Sequence, residues 1–211
     1  MIQADPLGAF DPDAPLNKDA LRNGRTVARY LPNCNDDDIT RIYLHHVHPS
    51  SGCSGGTYNH VVQFIVDRWE IIGNRNPRDN ARSMLSLDYA RHTYHRNQGA
   101  VGLAIDAPIN SIALEFLCAG AAAYCAAYSI EPTSLSLDAD PYRNEPSILT
   151  HAEAANFSGD PEQYYIYGPA PVGTGERVDF ATLTNAEPTA ESAFIVGEAL
   201  RARIAAYKLV L

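Results

Sequence analysis

The chain is 211 residues long, 45% hydrophobic and 19% charged, with 16 basic against 25 acidic residues and a formal charge of −9. That length suits one domain with its own core and no need of staples, and the apolar content excludes a disordered chain. The acidic balance, without any Lys/Arg cluster, argues against nucleic acid or an anionic membrane as a partner.

In chain order, residues 1–38 are rich in Asp, Pro and Asn, with a weak helical pattern from Lys18 to Leu31. They read as an N-terminal surface arm. The opening MIQADPLGAFDPDAP has no basic segment followed by an apolar run, so the expectation is a chain without a signal peptide, cytoplasmic as synthesised. Thr40 to His46 mixes β-branched, aromatic and aliphatic residues and predicts a strand. A Gly/Ser loop follows. His60 to Ile72 predicts a second strand region, divisible by a tight turn near Asp67-Arg68. Ala100 to Ile105 predicts a short, fully apolar strand, and Ser111 to Tyr128 a helix with Asn110 or Ser111 as N-cap. Glu115 and the abundance of alanine make that helix a poor membrane span. Cys118 and Cys125 lie two turns apart on it and are expected as buried free thiols. Nothing in the sequence argues for pairing Cys34 with Cys53.

Ser147 to His151 predicts a short extended segment, 160–175 a loop, and Thr189 to Leu209 a final helix with Phe194, Ile195, Leu200, Ile204 and Tyr207 near helical spacing. Strands and helices interleave, which predicts an α/β class. The expected organisation is the arm 1–38 and a single domain 39–211 that includes the last helix, built on a central mixed β-sheet flanked by helices.

His45 and His46 end one predicted strand, His151 ends another, and Asp179 follows a long loop. Three N/O ligands from separated elements, with a fourth position left to water, is the usual plan of a catalytic zinc site. Neighbouring strand residues point to opposite faces, so His45 and His46 cannot both serve one ion without distortion.

Four segments carry a resemblance: IYLHH at 42–46, RHTYHRNQGAVGLAI at 91–105, ILTHAEAA at 148–155 and ERVDF at 176–180. They resemble the type-2 N-acetylmuramoyl-L-alanine amidases, the family that includes peptidoglycan recognition proteins and phage lysozyme-type amidases. The resemblance implies the type-2 amidase-like fold and a zinc-dependent hydrolase of the amide between N-acetylmuramic acid and L-alanine, with peptidoglycan or muropeptides as partner. It implies Zn²⁺ held by His45, His151 and Asp179, with His45 preferred to His46. Arg177 falls where the family usually has a lysine that stabilises the oxyanion, and it keeps that charge. His92 matches a histidine lining the substrate groove, with His95 as the alternative, and Asn97 lies beside it.

The chain departs from the family where a tyrosine on the second strand or a glutamate on the third takes part in proton transfer. Val62 and Ala104 stand there. Asp106 shares a face with Ala104 on an extended strand, and Glu153, Tyr58 and Tyr94 are further candidates. A non-catalytic peptidoglycan-binding module and a virion-associated structural protein are the alternative readings. Such an enzyme would act on the cell wall, as an endolysin does, once a partner released it.

Overall fold

The computed structural model describes residues 10–32, 39–47, 57–78, 90, 99–132, 148–156, 180, 183 and 190–211. The elements are α1 (Lys18–Tyr30), β1 (Arg41–His46), β2 (His60–Ile65), β3 (Arg68–Gly73), β4 (Ala100–Ile105), α2 (Ser111–Ala127), β5 (Ile148–Thr150), α3 (His151–Asn156) and α4 (Ala190–Lys208). The strands form one sheet in the order β3-β2-β4-β1-β5. β2, β4, β1 and β5 run parallel, and β3 returns antiparallel to β2. The sheet is therefore mixed, with flanking helices, as expected.

The predicted 60–72 region does divide in two. Val66 and Asp67 both take positive φ (45° and 66°), so they form the two-residue turn whose twist matches a hairpin. Val66 is an unusual choice there, because a β-branched side chain is strained in the left-handed region.

Registry separates the two faces of the sheet. Ile42, Leu44, Val62, Val101, Leu103, Ile105 and Ile148 belong to the main core with α2 and α4. Tyr43, Ala100, Leu149 and Ala154 cluster separately, as do Tyr58, Val61 and Ala104. In β1 the alternation is strict, with even positions toward the helices and odd positions toward the opposite face.

α2 is buried almost all round because it is sandwiched between the sheet, α1 and α4. Asn110 caps it, its Oδ1 accepting from the Ala113 amide at 2.9 Å. Cys118 and Cys125 are free and buried. Burial raises both thiols, Cys125 up to about 12. Among the described residues no helix is long and apolar enough to cross a membrane.

Part of the stretch read as a surface arm is built into the core. Phe10 and Ala20 are buried with α2, and α1 crosses α2 so closely that a Cβ on Gly24 would stand 2.8 Å from the Ala119 carbonyl oxygen. The weak helical pattern hid this contact because α1 buries a narrow stripe, Ala20, Gly24 and Val27, of small residues.

The buried stripe of α4 also differs from the apolar spacing in the sequence. Ala193, Val196, Leu200, Ile204 and Tyr207 are buried, whereas Ile195 is exposed. The stripe includes two arginines, Arg201 and Arg203, each only 2% exposed. Arg203 meets Glu115, the acidic interruption of α2, through Nε at 2.9 Å and Nη2 at 2.9 Å. Its remaining donors reach the carbonyl oxygens of Pro12 (3.0 Å), Ala14 (2.6 Å) and Pro15 (3.2 Å). The Tyr207 hydroxyl also donates to Glu115. Burial, followed by the Glu115 contact, pushes that phenol well above its ordinary value. Glu115 thus anchors α4 to α2, and Arg203 extends the anchor to residues 12–15.

Removing one member of such a pair leaves the other charge buried and unmatched, while removing both costs much less. Arg203→Met is expected to lower unfolding free energy by ~3–5 kcal/mol. Adding Glu115→Leu is expected to recover roughly half or more of that loss in urea denaturation.

Candidate functional site

The carboxyl ends of parallel strands are where open α/β sheets place ligands. Here those ends carry His45 and His46 (β1), Asp106 (just past β4) and His151 (just past β5). β1 lies between β4 and β5, with His45 opposite Ala104 and Leu44 opposite Thr150. The three ends are therefore adjacent, although they are far apart in the chain.

His45 is 1% exposed. Its ring packs against those of His151 and Tyr58, with centroids 4.9 Å and 5.0 Å away. The small residues of β4 make room for these rings, since Ala100, Gly102 and Ala104 supply little or no side chain on the His45 face. Asn59 secures that part of β4, accepting from the Gly102 amide at 2.8 Å.

A Zn–N bond of about 2.0–2.1 Å plus half a ring puts each imidazole centre ~3.2 Å from the metal, so two tetrahedral ligands have centres ~5 Å apart. The His45–His151 separation of 4.9 Å fits that donor geometry. The same separation also suits a plain ring contact. The specific feature is that two strand ends deliver two imidazoles to one place.

His46 faces the other way. Its Nε2 lies 3.1 Å from the Ala107 carbonyl oxygen, and a carbonyl only accepts, so Nε2 carries the proton. Its ring is 6.3 Å from that of Phe180. Asp179 lies outside the described residues, as do Arg177, His92, Asn97, His95 and Tyr94. Phe180, which follows Asp179 in the chain, is 1% exposed and takes a φ of 62°. Phe180 therefore packs beside His46, at the end of β1. Among the described residues no group of three His, Cys, Asp or Glu could hold a metal.

The two described carboxylate candidates differ sharply. Asp106 is exposed at the end of β4, its amide donating to the Val62 carbonyl and its Oδ2 accepting from Gln63 Nε2 at 2.8 Å. Asp106 and Gln63 thus meet at the end of the sheet that carries His45.

Glu153 is fully buried. Its Oε2 accepts from the Thr150 amide (2.8 Å), Thr150 Oγ1 (3.0 Å) and Arg201 Nη1 (3.2 Å), and its Oε1 accepts from Arg201 Nη2 (2.7 Å). Burial raises its carboxyl above the ordinary range, and the Arg201 guanidinium opposes that rise. Both oxygens are committed, so Glu153 is not placed to move a proton at the imidazoles. THAE is also a capping box: Thr150 Oγ1 accepts from the Glu153 amide at 3.2 Å while Glu153 reaches back to the Thr150 amide. The T-x-x-E pattern was a readable sign of this role. Nothing equally local marked Arg201 as its partner.

No protein-family model matches the chain, and no curated protein or solved structure matches it either.

His60 sits on the helix-facing side of β2, its Nδ1 2.6 Å from the Tyr124 hydroxyl. Burial lowers its pKa from 6.5 to about 4. The unfolded chain takes up this proton more readily than the folded one. The stabilisation is therefore complete above about pH 6.5 and lost as pH falls toward about 4, by up to ~3 kcal/mol. Urea unfolding at about pH 7 and about pH 4.5 is expected to show this loss in the wild type, with a smaller difference in His60→Gln.

Proposed function

We propose that the chain is a zinc-dependent amidase that hydrolyses the bond between N-acetylmuramic acid and L-alanine in peptidoglycan, on a type-2 amidase-like fold. The observation that carries this reading is the meeting of His45 and His151 at 4.9 Å, made by the adjacency of β1 and β5. The resemblance of IYLHH and ILTHAEAA to the amidase family draws on those same two residues.

In this reading His45 and His151 would hold the metal, with Asp179 of the ERVDF segment as the third donor. The chemistry zinc supplies when bound is Lewis acidity: a water acidic enough to lose its proton near neutral pH, and a polarised scissile carbonyl. Asp106, exposed just past the end of β4, takes the role of proton carrier to the leaving amine. Tyr58, packed on the His45 ring, holds that imidazole in its orientation. Arg177 offers a fixed positive charge to the developing oxyanion. His92 and Asn97 contact the stem peptide.

The test combines metal analysis with digestion of purified muropeptides and mass measurement of the products. The wild type is expected to carry about one zinc per chain and to release the peptide from the muramoyl group. His151→Ala is expected to lose hydrolysis together with the metal. Arg177→Ala is expected to keep zinc and lose about 10²-fold in turnover, with Arg177→Lys retaining most of the activity. Unchanged hydrolysis by His151→Ala would refute the zinc mechanism.

A further inference from the structure

His151 begins a helix of six residues that follows a strand of three. A strand that short at a sheet edge, joined to less than two turns of helix, does not hold a side chain in place by itself. The two are fastened from α4 instead.

Arg201 uses all its donor nitrogens. Nη1 reaches the Ile148 carbonyl (3.1 Å) in β5 and Glu153 Oε2 (3.2 Å) in α3; Nη2 reaches Glu153 Oε1 (2.7 Å) and Glu198 (2.7 Å); Nε reaches Glu198 (2.9 Å). One planar guanidinium therefore holds the strand before His151 and the helix after it. The capping box closes around the same residue, with Thr150 on one side of His151 and Glu153 on the other.

The seat for the carboxylate is Gly197. A Cβ there would fall 2.0 Å from Glu153 Oε1 and 2.2 Å from its Cδ. No side chain larger than hydrogen fits while the carboxylate stays where it is. Glycine inside a helix costs about 1 kcal/mol relative to alanine. A buried ion pair is itself often no more stabilising than well-packed apolar residues of similar size. Neither feature serves stability well, and both serve a fixed geometry.

We infer that the Glu153–Arg201 pair, seated on Gly197, is the positioning device that aims His151 at His45 and so sets the affinity of the site for its metal. The inference rests on the zinc reading of that site. Glu153 acts through the backbone of residues 150–153 and does not touch the metal. Partners that orient ligating residues typically govern 10–100-fold in metal affinity, which is the size expected here.

The experiment measures zinc affinity by chelator competition on metal-free protein, alongside thermal unfolding of the same metal-free samples. The variants are Glu153→Gln, Gly197→Ala, the double Glu153→Met/Arg201→Met, and Glu198→Gln as control. Glu198 touches Arg201 but is not part of the capping box.

Glu153→Gln and Gly197→Ala are expected to bind zinc about 10–100-fold more weakly while still unfolding cooperatively. The double variant is expected to keep most of the metal-free stability and still bind weakly. Glu198→Gln is expected to bind as the wild type does. A merely structural role would lower the melting temperature and leave the affinity of the folded protein unchanged, and that result would overturn the inference. Should Glu153→Gln fail to fold, the Gly197→Ala and double variants decide between the same two outcomes. A wild type that binds no zinc would overturn the metal reading itself, whereas tight binding in every variant would overturn only the positioning role.

Discussion

Adjacent residues of a strand must face opposite sides of its sheet, and in β1 this constraint sorts the molecule into a core side and a site side. Ile42 and Leu44 enter the core shared with α2 and α4, and His46 follows them to that side. Tyr43 and His45 go to the other face, where the small side chains of β4 leave room for rings. Because β1 is paired on both sides, its end is adjacent to the ends of β4 and β5. Backbone pairing brings Asp106 and His151 to the end of the sheet that carries His45, and Arg201 fastens the short elements that carry His151. A one-residue slip of β1 would send both histidines to the wrong faces.

The second constraint is the cost of burying charge. α4 carries two arginines into its buried stripe: Arg201 is matched by Glu153, Glu198 and the Ile148 carbonyl, and Arg203 by Glu115 and three backbone carbonyls. Burying a cation is tolerable only with such complete hydrogen bonding. The two arginines hold different parts of the chain. Arg203 gathers residues 12–15 and α2 at Glu115, while Arg201 gathers β5 and α3 around His151. One helix thus secures both the early part of the chain and the short elements that present the candidate ligand.

The strands and the two long helices were legible because each stretch is locally consistent in period and punctuation. AVGLAI is bounded by Gly99 and Pro108, and the turn between β2 and β3 falls at Val66-Asp67, one residue before the expected spot. That His45 and His46 face opposite sides of the sheet was legible from alternation alone. Other features depend on partners distant in sequence. Glu115 reads as an interruption of an apolar helix until Arg203 is set against it. Glu153 reads as an available acid until Arg201 and the cap at Thr150 occupy both its oxygens. α1 reads as part of a surface arm because small residues carry its contact with α2. In each case a pairing across the fold decides the role, and no local pattern contains it.

The identity of the donors at the sheet's carboxyl end is most directly read by X-ray absorption at the zinc edge of the zinc-loaded chain. Expected is a first shell of nitrogen and oxygen at about 2.0–2.1 Å with the outer-shell scattering of two imidazoles and no sulfur at about 2.3 Å. His45→Ala should then remove one imidazole from that signal. A sulfur-containing shell, or a His45→Ala spectrum identical to that of the wild type, would contradict a metal centre built on His45 and His151.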